Sequence, residues 1–157
     1  MTIEGPVIID TNLLLLLVVG SANRQYISKH KRLAPDYSVE DFDLVTAVAS
    51  SFSDIILLPN TLTEVSSFAR QIGNPARDHI QSKLAEFIEV NTEIHIASRS
   101  AALRDEFFEL GLTDAAVLQL CAAPLGELTP TLLSVDADLL NAASALGYGF
   151  LDFTQLR

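Results

Sequence analysis

The stretch "GPVIIDTNLLLLLVVG", residues 5 to 20, constrains the fold more than any other part of the chain. Two apolar runs are separated by Asp10, Thr11 and Asn12, and an ionised carboxylate in such surroundings is costly unless something pairs with it. "PVII" is rich in β-branched residues and suits a buried strand ending at Asp10. The change of period at "DTN" predicts a helix capped by Thr11 or Asn12, carrying Leu13 to Val19 and stopping near Gly20. The apolar part is too short to span a bilayer, and Met1 to Gly5 lacks the basic stretch of a signal peptide. The sequence therefore predicts a cytoplasmic protein with no membrane association.

At 157 residues and 49% hydrophobic, the chain has the size and apolar content of a single domain, residues 1–157, with a substantial core. Cys121 is the only cysteine, so an internal disulfide and a thiolate zinc cluster are excluded. Its setting, "AAVLQLCAA", reads as core packing. The formal net charge of -10 argues against broad electrostatic affinity for a polyanion, so a phosphate-bearing partner has to be held locally. One acid-free segment suits that role. It is "RQYISKHKR", residues 24 to 32, where Arg24, Lys29, Lys31 and Arg32 stand beside Tyr26 and His30. An isolated charge run of this kind more commonly only keeps a surface soluble.

Further along, "SVEDFDLVTAVASSF" reads as a helix with Ser38 and Asp41 forming a capping box. "DIILLP" is a second buried strand. A helix is predicted from about Thr61 to Ile72, with Glu64 in its first turn, followed by a helix in "NPARDHIQSKLAEFIEV" with Pro75 at its start. "EIHIAS" alternates like a strand carrying His95, and "SRSAALRDEFFELG" reads as helical. "LTDAAVLQLCAAP" predicts a helix capped by Thr113 and ended by Pro124. "TPTLLSV" is a strand, "DADLLNAASALG" a helix closed by Gly147, and "YGFLDF" a last strand. Apolar strands alternating with helices predict an α/β protein, a three-layer α/β/α sandwich around a mainly parallel sheet.

In such sheets the functional crevice lies outside the carboxyl ends of the strands. Asp10 and Asp136 fall there, while Glu64 and Asp114 are expected in first helical turns, where free N–H groups favour negative charge. Taken singly, each is better read as a helix cap or the start of a turn than as a functional group, and Asp41 and Asp78 are read only so. The selected four share apolar frames: "VIIDTN", "LTEVSSF", "LTDAAVL" and "LLSVDADL". Two unit charges about 4 Å apart repel by roughly 4 kcal/mol at an effective dielectric near 20, so four converging carboxylates need a counter-charge. With no lysine or arginine beside any of them in sequence, a divalent cation is the economical partner, and all-oxygen ligands select Mg²⁺ or Mn²⁺. Such an ion activates water and stabilises a leaving oxygen in phosphodiester hydrolysis without a histidine base. His30, His79 and His95 are scattered among unrelated segments.

The order "VIIDTN", "TEVSSFA", "GLTDAAVL", "LLSVDADLLNAA", followed by a glycine and a strand, resembles the PIN domain, a metal-dependent ribonuclease fold that includes VapC-type toxins of toxin-antitoxin modules. The resemblance runs over essentially the whole chain. It implies an endoribonuclease with Asp10, Glu64, Asp114 and Asp136 as the metal-binding set and Asp138 as an optional fifth acid. It implies Asn12, Thr113 and Ser134 as the small polar residues that hydrogen-bond those carboxylates. It also implies an RNA substrate, an antitoxin partner protein and a homodimer. The long basic segment and the acidic net charge fit a short toxin less well than they fit the nuclease fold, which keeps a housekeeping RNA-processing nuclease in view. Two other readings compete. A haloacid-dehalogenase phosphatase would want an acid where this chain has Asn12, and a PIN-fold scaffold without activity would have no need to keep a destabilising cluster of charge.

Overall fold

The computed structural model describes residues 3–123 and 128–157. Five strands, β1 (Val7–Ile9), β2 (Ile55–Leu57), β3 (Thr92–Glu93), β4 (Thr131–Ser134) and β5 (Phe150–Asp152), form one sheet in the order β3-β2-β1-β4-β5. Every pairing is parallel, with Ile8 opposite Ile56 on one side and Leu132 on the other. The chain steps from β1 outward to β2 and β3, then returns to the other side of β1 for β4 and β5. The switch point therefore lies between β1 and β4, which is where an open parallel sheet leaves a crevice at its carboxyl edge.

Between the strands run α1 (Thr11–Ala22), α2 (Val39–Ser50), α3 (Pro59–Ala69), α4 (Ala76–Val90), α5 (Ser98–Ala102), α6 (Phe107–Leu110), α7 (Leu112–Ala122) and α8 (Ala137–Ala145), with 3-10 turns at Arg24–Lys29 and Phe153–Gln155. Alternating strand residues feed two separate cores. Val7, Ile9, Leu57 and Leu133 pack with α1 to α4, while Ile8, Ile56 and Leu132 pack with α5, α7 and α8. The result is three layers, helices on both faces of a parallel sheet. Helices made on the outward path cover one face and helices made on the return cover the other, as crossovers of one hand require when direction reverses.

The leucine-rich run forms α1, and Leu13 to Val19 are all buried. A helix that is apolar all round has to be enclosed all round, and α1 packs against α2, α3, α4 and β4. Among the described residues no helix is long and apolar enough to cross a membrane. Cys121 is buried in the second core, where burial pushes its thiol up to about 12, in keeping with a packing role.

Several boundaries differ from the sequence reading. Asp10, not Thr11 or Asn12, caps α1, its carboxylate accepting the Thr11 N–H, and the helix runs two residues past Gly20. The helix bearing Glu64 begins at Pro59, so Glu64 lies beyond its first turn. The stretch 98–110 is broken into two short helices, and the cap of α7 is Gly111 (φ +87°), a conformation that glycine adopts without the strain of a Cβ, in place of Thr113. The predicted stop at Pro124 lies outside the described residues. The third strand pairs only through Thr92 and Glu93, which puts His95 beyond it. By contrast, the Ser38–Asp41 capping box forms in full, and Gly147 follows α8 at φ +77°.

At Gly20 another element approaches the α1 backbone closely, because a Cβ there would run into the Phe42 ring of α2. Replacing glycine by alanine inside a helix ordinarily gains up to about 1 kcal/mol, but overpacking of this kind costs about 1–3 kcal/mol. Gly20→Ala is therefore expected to lower stability by roughly 1–2 kcal/mol in denaturant unfolding, and Phe42→Leu in the same chain to recover part of that loss. A stabilised Gly20→Ala protein would mean that α1 and α2 are not in this contact.

Candidate functional site

Two strand ends and the starts of three helices meet at the switch point. Asp10 follows β1, and Asp136 caps α8 two residues after β4, its Oδ1 accepting the N–H groups of Asp138 and Leu139. Glu64 comes from α3, and Asp114 from the first turn of α7. All four carboxylates line one cleft of about 460 Å³, together with Thr11, Thr113 and Gly111.

Neutral donors orient the acids. Thr11 Oγ1 donates to Glu64 Oε1 at 2.9 Å and Thr113 Oγ1 donates to Glu64 Oε2 at 2.7 Å, so both carboxylate oxygens are held from opposite sides. Ser134, fully buried at the end of β4, donates to Asp10 Oδ2 at 2.7 Å and accepts the Asp136 N–H at 3.0 Å. That one hydroxyl ties the ends of β1 and β4 together. Each clamped oxygen has a second lone pair left for another partner. Asp114 makes no side-chain hydrogen bond to a described residue.

The electrostatics follow from this arrangement. Burial pushes the Asp114 carboxyl up to about 7, and the charges of Asp10, Asp136 and Glu64 add to the effect. Burial likewise raises Asp10; hydrogen bonds from Ser134 and Thr11 oppose the rise, and Asp136 and Glu64 reinforce it. Among the described residues no cation acts on either group. The sequence expectation of a repelling cluster without a counter-charge thus has a geometric basis.

Other expected site residues take different roles. Asp138 turns to a neighbouring groove lined by Glu106, Glu109 and Asn141. Asn12 hydrogen-bonds no carboxylate; its Oδ1 accepts the Arg32 Nε–H at 2.9 Å. Thr11, which the sequence reading treated only as a cap, takes the clamping role, and its partner lies 53 residues away, beyond the reach of any local pattern. Within the basic segment Arg24 is paired with Asp43 and leans on the Phe42 ring. Lys29 and Lys31 are exposed, and among the described residues neither forms an ion pair. His30 is fully buried rather than part of the basic surface: its Nε2 bonds the Phe68 carbonyl, its Nδ1 accepts the Arg32 N–H, and burial lowers its pKa. Arg32 alone reaches the acid cleft, at its rim, stacked 3.6 Å over the Phe68 ring.

Four carboxylates around one opening are an all-oxygen donor set of the kind that suits a hard divalent cation. Among the described residues no three acidic, histidine or cysteine side chains already stand close enough to enclose an ion. Comparison with protein-family models, curated proteins and solved structures finds no match to this chain.

The raised Asp114 carboxyl has a consequence for stability. A carboxyl near 7 in the folded protein and near 3.8 in the unfolded chain binds its proton more tightly when folded, so its contribution is full below about pH 4 and is lost as pH rises through about 7. The whole shift corresponds to about 4 kcal/mol, and partial exposure reduces it to the order of 2 kcal/mol. Denaturant unfolding in EDTA at pH 5 and pH 8 is expected to show wild type losing more stability across the interval than Asp114→Asn, by that order. Parallel curves would place Asp114 outside the repelling cluster.

Proposed function

We propose that the protein is a Mg²⁺- or Mn²⁺-dependent endoribonuclease of the PIN type. The observation that carries the reading is the convergence of Asp10, Glu64, Asp114 and Asp136, from four distant parts of the chain, on one cleft at the switch point of a parallel sheet. An acid cluster whose carboxylates pair with no cation among the described residues is the surrounding a bound divalent ion stabilises most. The PIN resemblance of the same four motifs, in the same order, adds the substrate class.

On this reading Asp10, Glu64, Asp114 and Asp136 hold the cation. Thr11, Thr113 and Ser134 keep the carboxylates of Glu64 and Asp10 aimed into the cleft without cancelling their charge. A divalent cation bound there would supply the positive charge that draws in a phosphodiester and makes water acidic enough to serve as nucleophile near neutral pH. Arg32 at the rim offers its guanidinium to the non-bridging oxygens of the entering backbone. None of the three histidines is needed: His30 is sealed in the core, His79 bonds Tyr26 Oη, and His95 stands on the surface beside Glu93.

The toxin role, with an antitoxin partner, a second copy of the chain and a cytoplasmic site of action, rests on the resemblance. Phe108 and Leu103 stand 85% and 82% exposed near α6 and α5, apolar surface of the sort a protein partner covers. The competing scaffold reading keeps the cleft and dispenses with the ion.

The test is cleavage of single-stranded RNA by the purified protein with Mn²⁺, with Mg²⁺ and with EDTA. Cleavage is expected only with metal, and Asp10→Asn is expected to abolish it while the circular dichroism spectrum is kept, since the amide keeps the shape and loses the charge. Mn²⁺ at a hundredfold over its dissociation constant should also stabilise wild type by about 2.7 kcal/mol, and Asp10→Asn much less. Metal-dependent cleavage that survives in Asp10→Asn would sink the site assignment, and an inert, metal-indifferent wild type would leave the scaffold reading.

A further inference from the structure

A second cleft, also of about 460 Å³, opens beside the acid cleft and shares Asn12 and Arg32 with it. Its other polar lining is Asp36, Tyr37, Thr154 and Arg157, brought together from the end of the basic segment and from the last residues of the described chain. Arg32 is fixed by two contacts that leave its terminal nitrogens available: Nε donates to Asn12 Oδ1 at 2.9 Å, and the guanidinium carbon sits over the Phe68 ring, 3.6 Å from its centroid. Its two terminal nitrogens make no hydrogen bond to a described residue, and it forms no ion pair with one. Arg157 packs over the Tyr37 ring at 5.2 Å; one terminal nitrogen donates to the Asp36 carbonyl at 3.1 Å and to Asp41 Oδ2 at 3.4 Å. Its other terminal nitrogen, the Tyr37 hydroxyl and the Thr154 hydroxyl have no such partner among the described residues.

Two guanidiniums, two hydroxyls and an amide around one opening form a donor-rich pocket, with Asp36 as the only acidic side chain in its described lining. Guanidinium groups packed over aromatic rings with terminal nitrogens left free suit the paired oxygens of a phosphate. In a chain of net charge -10 such a grouping is the exception, and it adjoins the four acids directly. We propose that this second cleft holds the backbone phosphate of single-stranded RNA next to the one positioned in the acid cleft, with Arg32 contacting the strand as it passes between the two. The proposal rests on the nuclease reading and deepens it, because it names the path of the substrate and replaces the wider basic segment by Arg32 and Arg157 as its anchors.

Binding without cleavage tests it. Fluorescence anisotropy of a short labelled single-stranded RNA in EDTA is measured for wild type, Arg32→Ala and Arg157→Ala across a salt series. Each variant is expected to bind about tenfold more weakly, with a shallower salt dependence by roughly 0.7 in the logarithmic slope for each phosphate no longer engaged. In Mn²⁺ the loss for Arg157→Ala should appear in KM, with kcat within about threefold of wild type. A second measurement needs no variant: RNA carrying one uncharged methylphosphonate linkage, moved along the strand, should bind wild type about tenfold more weakly at the linkage next to the cut, and bind Arg157→Ala no more weakly than unmodified RNA does. Variants that bind unmodified RNA as tightly as wild type overturn the proposal, whether or not cleavage is intact. So does a wild type that takes no RNA while millimolar inorganic phosphate raises its melting temperature, which would assign the pocket to a small anion. Arginine-dependent RNA binding with no cleavage at any metal concentration supports the RNA cleft and removes the nuclease reading, so the two fail separately.

Discussion

The enclosure of α1 is the constraint on which the rest of the structure depends. Leu13 to Val19 are buried on every side, and at about 1.5–3 kcal/mol for each fully buried large apolar side chain the helix has essentially one place to go. Seating it against the sheet puts its first turn at the carboxyl edge of β1, and Asp10 becomes its cap by necessity. The core term is large beside the roughly 4 kcal/mol that holding one carboxyl near 7 represents at most. A repelling acid cluster can therefore persist in the folded protein, because the apolar helix beneath it fixes where its members stand.

How the acids are held matters as much as where. An arginine or lysine inserted among them would orient the carboxylates and also neutralise them, leaving little attraction for anything else. Hydroxyls do only the first. Thr11 and Thr113 grip Glu64, and Ser134 grips Asp10 while accepting the N–H of Asp136; hydrogen bonds to charged groups of this kind contribute about 1.5–3 kcal/mol each. The cation that does come near, Arg32, is turned aside by Asn12 and Phe68. The cluster keeps its negative field, and a positive group stands at its edge rather than in it.

The layers and the four acids were legible because each leaves a local trace: β-branched runs for strands, a period change for helices, a charge inside an apolar frame. Ser38 and Asp41 could be paired by eye because their spacing is the bond. What escaped depends on distance in sequence. Nothing near Thr11 reveals Glu64, nothing near Asn12 reveals Arg32, and Arg157 reaches the second cleft only once the sheet is assembled. Alternation in "EIHIAS" reported a pattern of polarity, yet strand pairing is decided by the neighbour, and β2 pairs with Thr92 and Glu93 and accepts a last hydrogen bond from the Ile94 N–H, one residue short of His95. His30 looked basic because its neighbours are, whereas the fold uses it as a buried peg between the segment and α3.

An acidic chain can still engage a polyanion if the engagement is short-ranged. At physiological salt the screening length is about 8 Å, so charges on remote faces contribute little at the cleft, and the donors within reach decide. On the nuclease reading this has a consequence for selectivity. A broadly basic protein gathers any nucleic acid along its surface, but here the favourable contacts are confined to two adjoining clefts joined at Arg32. A duplex presents its phosphates on a stiff, wide cylinder and cannot thread both openings. A single strand can bend into them one phosphate at a time, so the nuclease reading implies a preference for single-stranded RNA set by the shape and sparseness of the positive charge rather than by its amount.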